Sequence, residues 1–177
     1  MRARAKTINF ATIYGQGPHA LARQLNIEYD DARRFIDDYF TRFAGVRAWL
    51  DRTVAEARAR GWVETILGRR RYVPELRDKN FNIRAFGERT ATNSPLQGSA
   101  ADLIKVAMIE VSAALSSRFR ARLLLQVHDE LLVEAPEAEA ESVADLVRTS
   151  MEEAAELRVP LVATVGIGVN WLDAKVG

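Results

Sequence analysis

The predicted fold class is α+β, a helical first half followed by helices packed around a small antiparallel sheet. Three observations predict it. Apolar residues recur at helical spacing through residues 1–60, with Phe35, Ile36, Tyr39 and Phe43 on one face of a single segment. Two pairs of short apolar runs then flank tight polar connections, the pattern of β-hairpins. The chain has 177 residues, 48% of them hydrophobic and 28% charged, which suffices to bury a real core.

Residues 2–14 read as a helix that stops at Gly15, Gly17 and Pro18, where the chain must turn. A short helix follows over 19–26 and a longer one from about Asp30. Gly45 is expected to break it, and a further helix runs through Val46, Trp49, Leu50 and Val54 to a C-cap at Gly61. Trp62 to Ile66 and Arg71 to Val73 flank the turn Leu67-Gly68-Arg69-Arg70. Residues 81–93 are helical in composition, and Ser94-Pro95 should bend or interrupt that helix. The periodic helix after it carries Leu103, Ala107, Val111 and Ala114 on its inner face. Leu123 to Val127 and Leu131 to Val133 form a second hairpin around His128-Asp129-Glu130, and a helix over 137–157 and a strand over 161–169 complete the chain.

Composition narrows the function. With no cysteine there is no disulfide framework and no thiolate metal site; a reducing, cytoplasmic location is the expectation. The basic N-terminus leads into no long apolar segment, which argues against a cleaved signal peptide, and no run reaches membrane-spanning length. A net charge of +1 conceals a polarised chain: residues 1–100 hold 18 basic and 11 acidic residues, residues 101–177 hold 7 and 13. Such asymmetry points to a polyanion partner for the basic half, or to two oppositely charged faces packed together.

Arg2, Lys6, Phe10 and Tyr14 recur every four residues and so stay on one helix face, a stripe of ~18 Å. Its first half is cationic and its second aromatic, the division of a nucleoside triphosphate into polyanionic tail and stackable base. From spacing alone, an amphipathic helix with Phe10 and Tyr14 in the core is the stronger reading. However, Arg2-x-x-x-Lys6-x-x-Asn9-Phe10-x-x-x-Tyr14-Gly15 resembles the nucleotide-binding finger helix of family A DNA polymerases, the DNA polymerase I type. The resemblance implies that Arg2 and Lys6 bind the incoming dNTP and that Lys6 gives a proton to departing pyrophosphate. It places Phe10 by the sugar and base and Tyr14 at the template-side pocket. Phe at position 10 favours DNA synthesis and implies discrimination against dideoxynucleotides.

Arg89, Asn93 and Gln97 are again four apart. Amide side chains can donate to minor-groove acceptors that every Watson–Crick pair presents, testing pair geometry while blind to sequence. Alone, Asn93 and Gln97 are better read as satisfying backbone around Pro95; the resemblance makes the segment a primer–template contact helix. Arg69, Arg70, Arg71, Arg77, Lys79 and Arg84 could add phosphate contacts.

In Gln126-Val127-His128-Asp129-Glu130-Leu131, strand alternation would put Asp129 and its two neighbours on opposite faces unless the tip is distorted. A carboxylate on a hairpin tip suits Mg²⁺, although a plain polar turn is the better reading of an isolated tripeptide. By the resemblance this is the family's second metal-binding motif, with Asp129 the catalytic ligand, Glu130 an auxiliary carboxylate and His128 a contact to the primer terminus. Two Mg²⁺ ions would serve in-line attack of the primer 3′-hydroxyl on the α-phosphate. The family's other aspartate lies in a segment upstream of the finger helix, which this chain does not contain. Asp102 begins a helix without a matching motif and does not replace it.

The resemblance reaches the terminal Asn170-Trp171-Leu172-Asp173-Ala174. It implies a fingers part over 1–80 and a palm part over 81–177, partnered by primer–template DNA, dNTPs and the missing N-terminal part of the polymerase, with no membrane. The chain alone is expected to be inactive or very weak. The competing readings are a non-catalytic remnant that holds nucleotide or duplex DNA, and a helical interaction protein.

Overall fold

A computed structural model describes residues 2–175, with side chains described from residue 5 onward. Four helices open the chain: α1 (Arg2–Ile13), α2 (Pro18–Leu25), α3 (Tyr29–Arg42) and α4 (Ala44–Arg60). Their ends follow local chemistry. Past α1, Gly15 takes φ +74°, and the amides of Gly15 and Gln16 bond back to the carbonyls of Thr12 and Ala11, closing a Schellman motif. Asn26 is also left-handed past α2, at φ +52°, with its amide bonded to the Ala22 carbonyl, and Gly61 ends α4 at φ +87°. The break between α3 and α4 falls at Phe43, not at Gly45, which lies within α4. A glycine only lowers helix propensity, by ~1 kcal/mol, whereas Phe43 leaves helical geometry at φ −114°, ψ 53°.

The chain forms two compact units, residues 1–98 and 99–177. In the first, Ala11, Leu21, Leu25 and Ala32 bury a core shared by α1, α2 and α3. Leu21 is fully buried, and removing such a side chain from water contributes about 1.5–3 kcal/mol. A second core joins α4, the hairpin β1 (Trp62–Glu64) and β2 (Arg70–Tyr72), the 3-10 turn Pro74–Arg77 and helix α5 (Phe81–Arg118) through Ala57, Val63, Val73, Leu76 and Ala91. Arg77 donates to the carbonyls of Arg58 and Ala59, covering acceptors that the end of α4 leaves without helical partners.

Helix α5 is continuous through Pro95, where the sequence predicts a bend or an interruption. Proline removes one donor, at a cost of ~3 kcal/mol, but long helical flanks on both sides are anchored by buried Ala91 and by Ala107 and Val111. In the second unit Val111, Leu115, Ala121, Val143 and Val147 form the core between α5, the hairpin β3 (Arg122–Val127) and β4 (Glu130–Glu134), and α6 (Ala140–Glu152). β3 pairs with β4 antiparallel with a register shift between Leu123 and Leu125, so Leu124 bulges out of the ladder.

Two expectations fail here. The helix predicted over 137–157 is a 3-10 turn, Glu137–Glu139, followed by α6, which ends at Glu152. Residues 161–169 form no strand. Their apolar pattern favours extended backbone, but a strand needs a ladder, and Val162 and Val169 stand 78% and 94% exposed. Among the described residues no helix is long and apolar enough to cross a membrane.

Candidate functional site

The stripe on α1 is not the core face. Ala11 and Thr12 are buried, while Phe10 is 44% exposed and Lys6 is exposed. Phe10 and Tyr14 stack with centroids 5.8 Å apart and an interplanar angle of 19°, and Lys6 Nζ lies 5.9 Å from the Phe10 ring. The three side chains border one open cavity of about 360 Å³, with Thr7, Gln16 and Gln24. A cation beside a stacked, half-exposed aromatic pair can receive an anionic group and a flat ring together. The Arg2 side chain lies outside the described residues.

Sequence reading missed Gln16 and Gln24, which reach the cavity only because Gly15 reverses the chain and α2 packs back on α1. It also missed the orienting contact of this helix: the Tyr39 hydroxyl of α3 donates to Asn9 Oδ1 at 2.8 Å. Burial raises the Tyr39 pKa above its ordinary value.

On α5, Arg89 and Gln97 are exposed and Asn93 is half-buried with its Oδ1 unpartnered. The Arg89 side chain passes over Gly15, its Cγ 3.4 Å from where a Cβ would stand. Four of the six cations read as candidate phosphate contacts are turned onto the protein itself. Arg69 donates to the Gly98 carbonyl, Arg77 and Arg84 to other backbone carbonyls, and Arg70 to Glu64. That last hydrogen bond holds the Arg70 pKa above its usual value.

In the second unit β3 and β4 join through the two-residue turn His128-Asp129, with Val127 paired to Glu130. His128 sits at φ +55°, and its carbonyl accepts from the Gln126 amide. The tip is thus distorted, and simple alternation does not separate the carboxylates: Asp129 and Glu130 both border one cavity of about 510 Å³. Its walls are mostly apolar, among them Leu103, Ile104 and Leu131, and His128 is not part of them. All three tip residues are exposed. Two solvent-reaching carboxylates suit a hard cation that keeps several waters, as Mg²⁺ does. Among the described residues no group of three or more His, Asp and Glu converges.

Comparisons with known proteins agree in direction. The family model for DNA polymerase family A matches residues 1–173. DNA polymerase I of Geobacillus stearothermophilus is 51% identical over 99% of this chain, and the thermostable DNA polymerase I of Thermus thermophilus is likewise 51% identical. This chain spans 20% and 21% of their lengths. Among solved structures, the POL domain of Pol1 from M. smegmatis, in complex with DNA primer-template and dNTP, superposes with a TM-score of 0.94 at 47% identity. That match covers 98% of this chain and 31% of the other.

Proposed function

The chain belongs to DNA polymerase family A, and from that premise we propose that it supplies the dNTP-binding helix, the primer–template helix and one metal-binding motif of a DNA-directed DNA polymerase. Residues 1–80 act as fingers and 81–177 as part of the palm, working with primer–template DNA, dNTPs and the remainder of the polymerase. The observation that carries this reading is the α1 cavity, where Lys6 stands beside the exposed Phe10 and the half-buried Tyr14 stacked on it.

Each residue then has a task. Arg2 and Lys6 take the triphosphate, Arg as a fork of donors and Lys as a point charge. Phe10 backs the sugar and base, and Tyr14 closes the template side. Arg89, Asn93 and Gln97 contact the duplex, the two amides through minor-groove acceptors, and His128 contacts the primer terminus. In the reaction the primer 3′-oxygen bonds to the α-phosphorus as the bond to pyrophosphate breaks. The 3′-hydroxyl gives its proton to solvent water and Lys6 gives one to the pyrophosphate. Asp129, helped by Glu130, would hold Mg²⁺, two ions in the complete enzyme, which supplies charge neutralisation for the phosphates and acidity for the hydroxyl.

The test is a chimera in which this chain replaces the matching fifth of the Geobacillus stearothermophilus enzyme. Primer extension is expected, reduced by roughly 10²–10⁴-fold in Lys6→Ala and abolished in Asp129→Ala. Extension that survives Asp129→Ala overturns the metal assignment. Duplex binding without extension favours a non-catalytic remnant. The chain assayed alone is expected to show little or no extension.

A further inference from the structure

We propose that Thr65 and Arg69 brace helix α5 at Gly98 and thereby hold Gln97 in place, so that Arg69 is a positioning residue and not a phosphate contact. The inference rests on the reading of α5 as the primer–template helix and adds the hairpin β1–β2 to it.

Gln97 occupies the weakest stretch of a 38-residue helix. Pro95, two residues before it, has no N–H and leaves the Ala91 carbonyl without its helical donor. Gly98, directly after it, is a poor helix former with no side chain to restrict the backbone. A helix with both defects within four residues frays there unless something outside it takes up the load.

The hairpin is built to do so. Thr65 and Arg69 close its turn: Thr65 N donates to the Arg69 carbonyl at 3.0 Å, and Arg69 N donates to Thr65 Oγ1 at 3.1 Å. From that turn Arg69 Nη2 reaches 29 residues along the chain and donates to the Gly98 carbonyl at 3.0 Å. The Thr65 methyl fits against Gly98 so closely that a Cβ there would stand 2.6 Å from Thr65 Cγ2. Glycine thus weakens the helix and also admits the brace. With Nη2 committed to a backbone carbonyl, the Arg69 guanidinium is oriented by the protein, and a phosphate would have to compete for that donor.

Two measurements on the full chain test this. In Arg69→Gln, amide hydrogen exchange across residues 96–102 should quicken about tenfold, the loss of a charge-assisted hydrogen bond, while the rest of the first unit keeps its protection. Gly98→Ala should do the same, and Thr65→Ser should reverse it by removing Cγ2 and keeping the hydroxyl. Unchanged exchange in Arg69→Gln, or no rescue by Thr65→Ser, overturns the brace.

The second measurement is primer–template affinity against salt by fluorescence anisotropy. Arg69→Gln should weaken binding about three- to tenfold with the slope of log K against log salt unchanged, and should cost nothing further once Gln97→Ala is present. A slope shallower by about 0.9 makes Arg69 a phosphate contact and overturns the proposal. If exchange quickens as expected but neither Arg69→Gln nor Gln97→Ala alters affinity, the brace stands and the duplex-contact reading of α5 falls.

Discussion

Tyr39 ties helix α3 to helix α1 through one hydroxyl. Its ring packs on Phe43 with centroids 4.9 Å apart and edge-on to Phe40, and its hydroxyl holds Asn9, the residue before Phe10. Tyr39→Phe keeps the ring and removes the bond, so thermal or urea unfolding should show a loss of about 0.5–1.5 kcal/mol. The same residue sets an alkaline limit. Burial raises its pKa above 10.0 in the folded state, so the folded chain holds the phenolic proton more tightly than the unfolded one. That contribution is complete below the ordinary value and is lost as pH rises through the folded one. Stability should therefore fall above about pH 10, and the fall should be smaller in Tyr39→Phe; identical alkaline profiles would show that Tyr39 does not ionise in that window.

At the scale of elements, two helical glycines make opposite predictions from the space around them. A Cβ at Gly87 of α5 would stand 2.8 Å from Leu76 N and 3.0 Å from the Glu75 carbonyl carbon, so Gly87→Ala must move backbone and should cost about 1–3 kcal/mol in urea unfolding. Gly45 in α4 has nothing within 4 Å, and Gly45→Ala should stabilise by about 0.5–1 kcal/mol. Equal effects at the two sites would refute the packing argument. Helices α1 to α4, apart from the position of the α3–α4 break, and both hairpins were legible in the sequence because periodicity, helix-ending residues and turn residues act within a few positions. The unbroken α5 and the absent strand at 161–169 were not, since each depends on what distant residues bury or pair. The site divides in the same way. Lys6, Phe10 and Tyr14 share a face by local spacing, and Asp129 and Glu130 are adjacent. Asn9–Tyr39, Gly15–Arg89 and Arg69–Gly98 join residues 29 or more positions apart, and no local pattern announces them.

For the whole molecule the charge division coincides with the structural one, because Ser99 and Ala100 are uncharged: the units 1–98 and 99–177 carry +7 and −6. The positive excess is less available than the count implies. Arg33, Arg34, Arg47, Arg58, Arg60 and Arg70 each pair with a carboxylate of their own unit. Arg69, Arg77 and Arg84 are occupied with backbone carbonyls. Of the cations at positions 69–84 and 89 this leaves Arg71, Lys79 and Arg89, all exposed, to neutralise DNA phosphates under the proposed function. Each such contact releases counterions and steepens the dependence of log K on log salt by about 0.9. Primer–template binding by this chain should therefore show a slope of about −2.7, where full use of the six cations of residues 69–84 together with Arg89 would give about −6. Anisotropy titrations between about 50 and 200 mM salt separate the two values. Arg71→Gln should make the slope shallower by about 0.9, and Arg77→Gln should leave it unchanged while weakening the end of α4. A slope near −6 would mean that the capped arginines turn outward to DNA and that their carbonyl bonds do not survive in the complex.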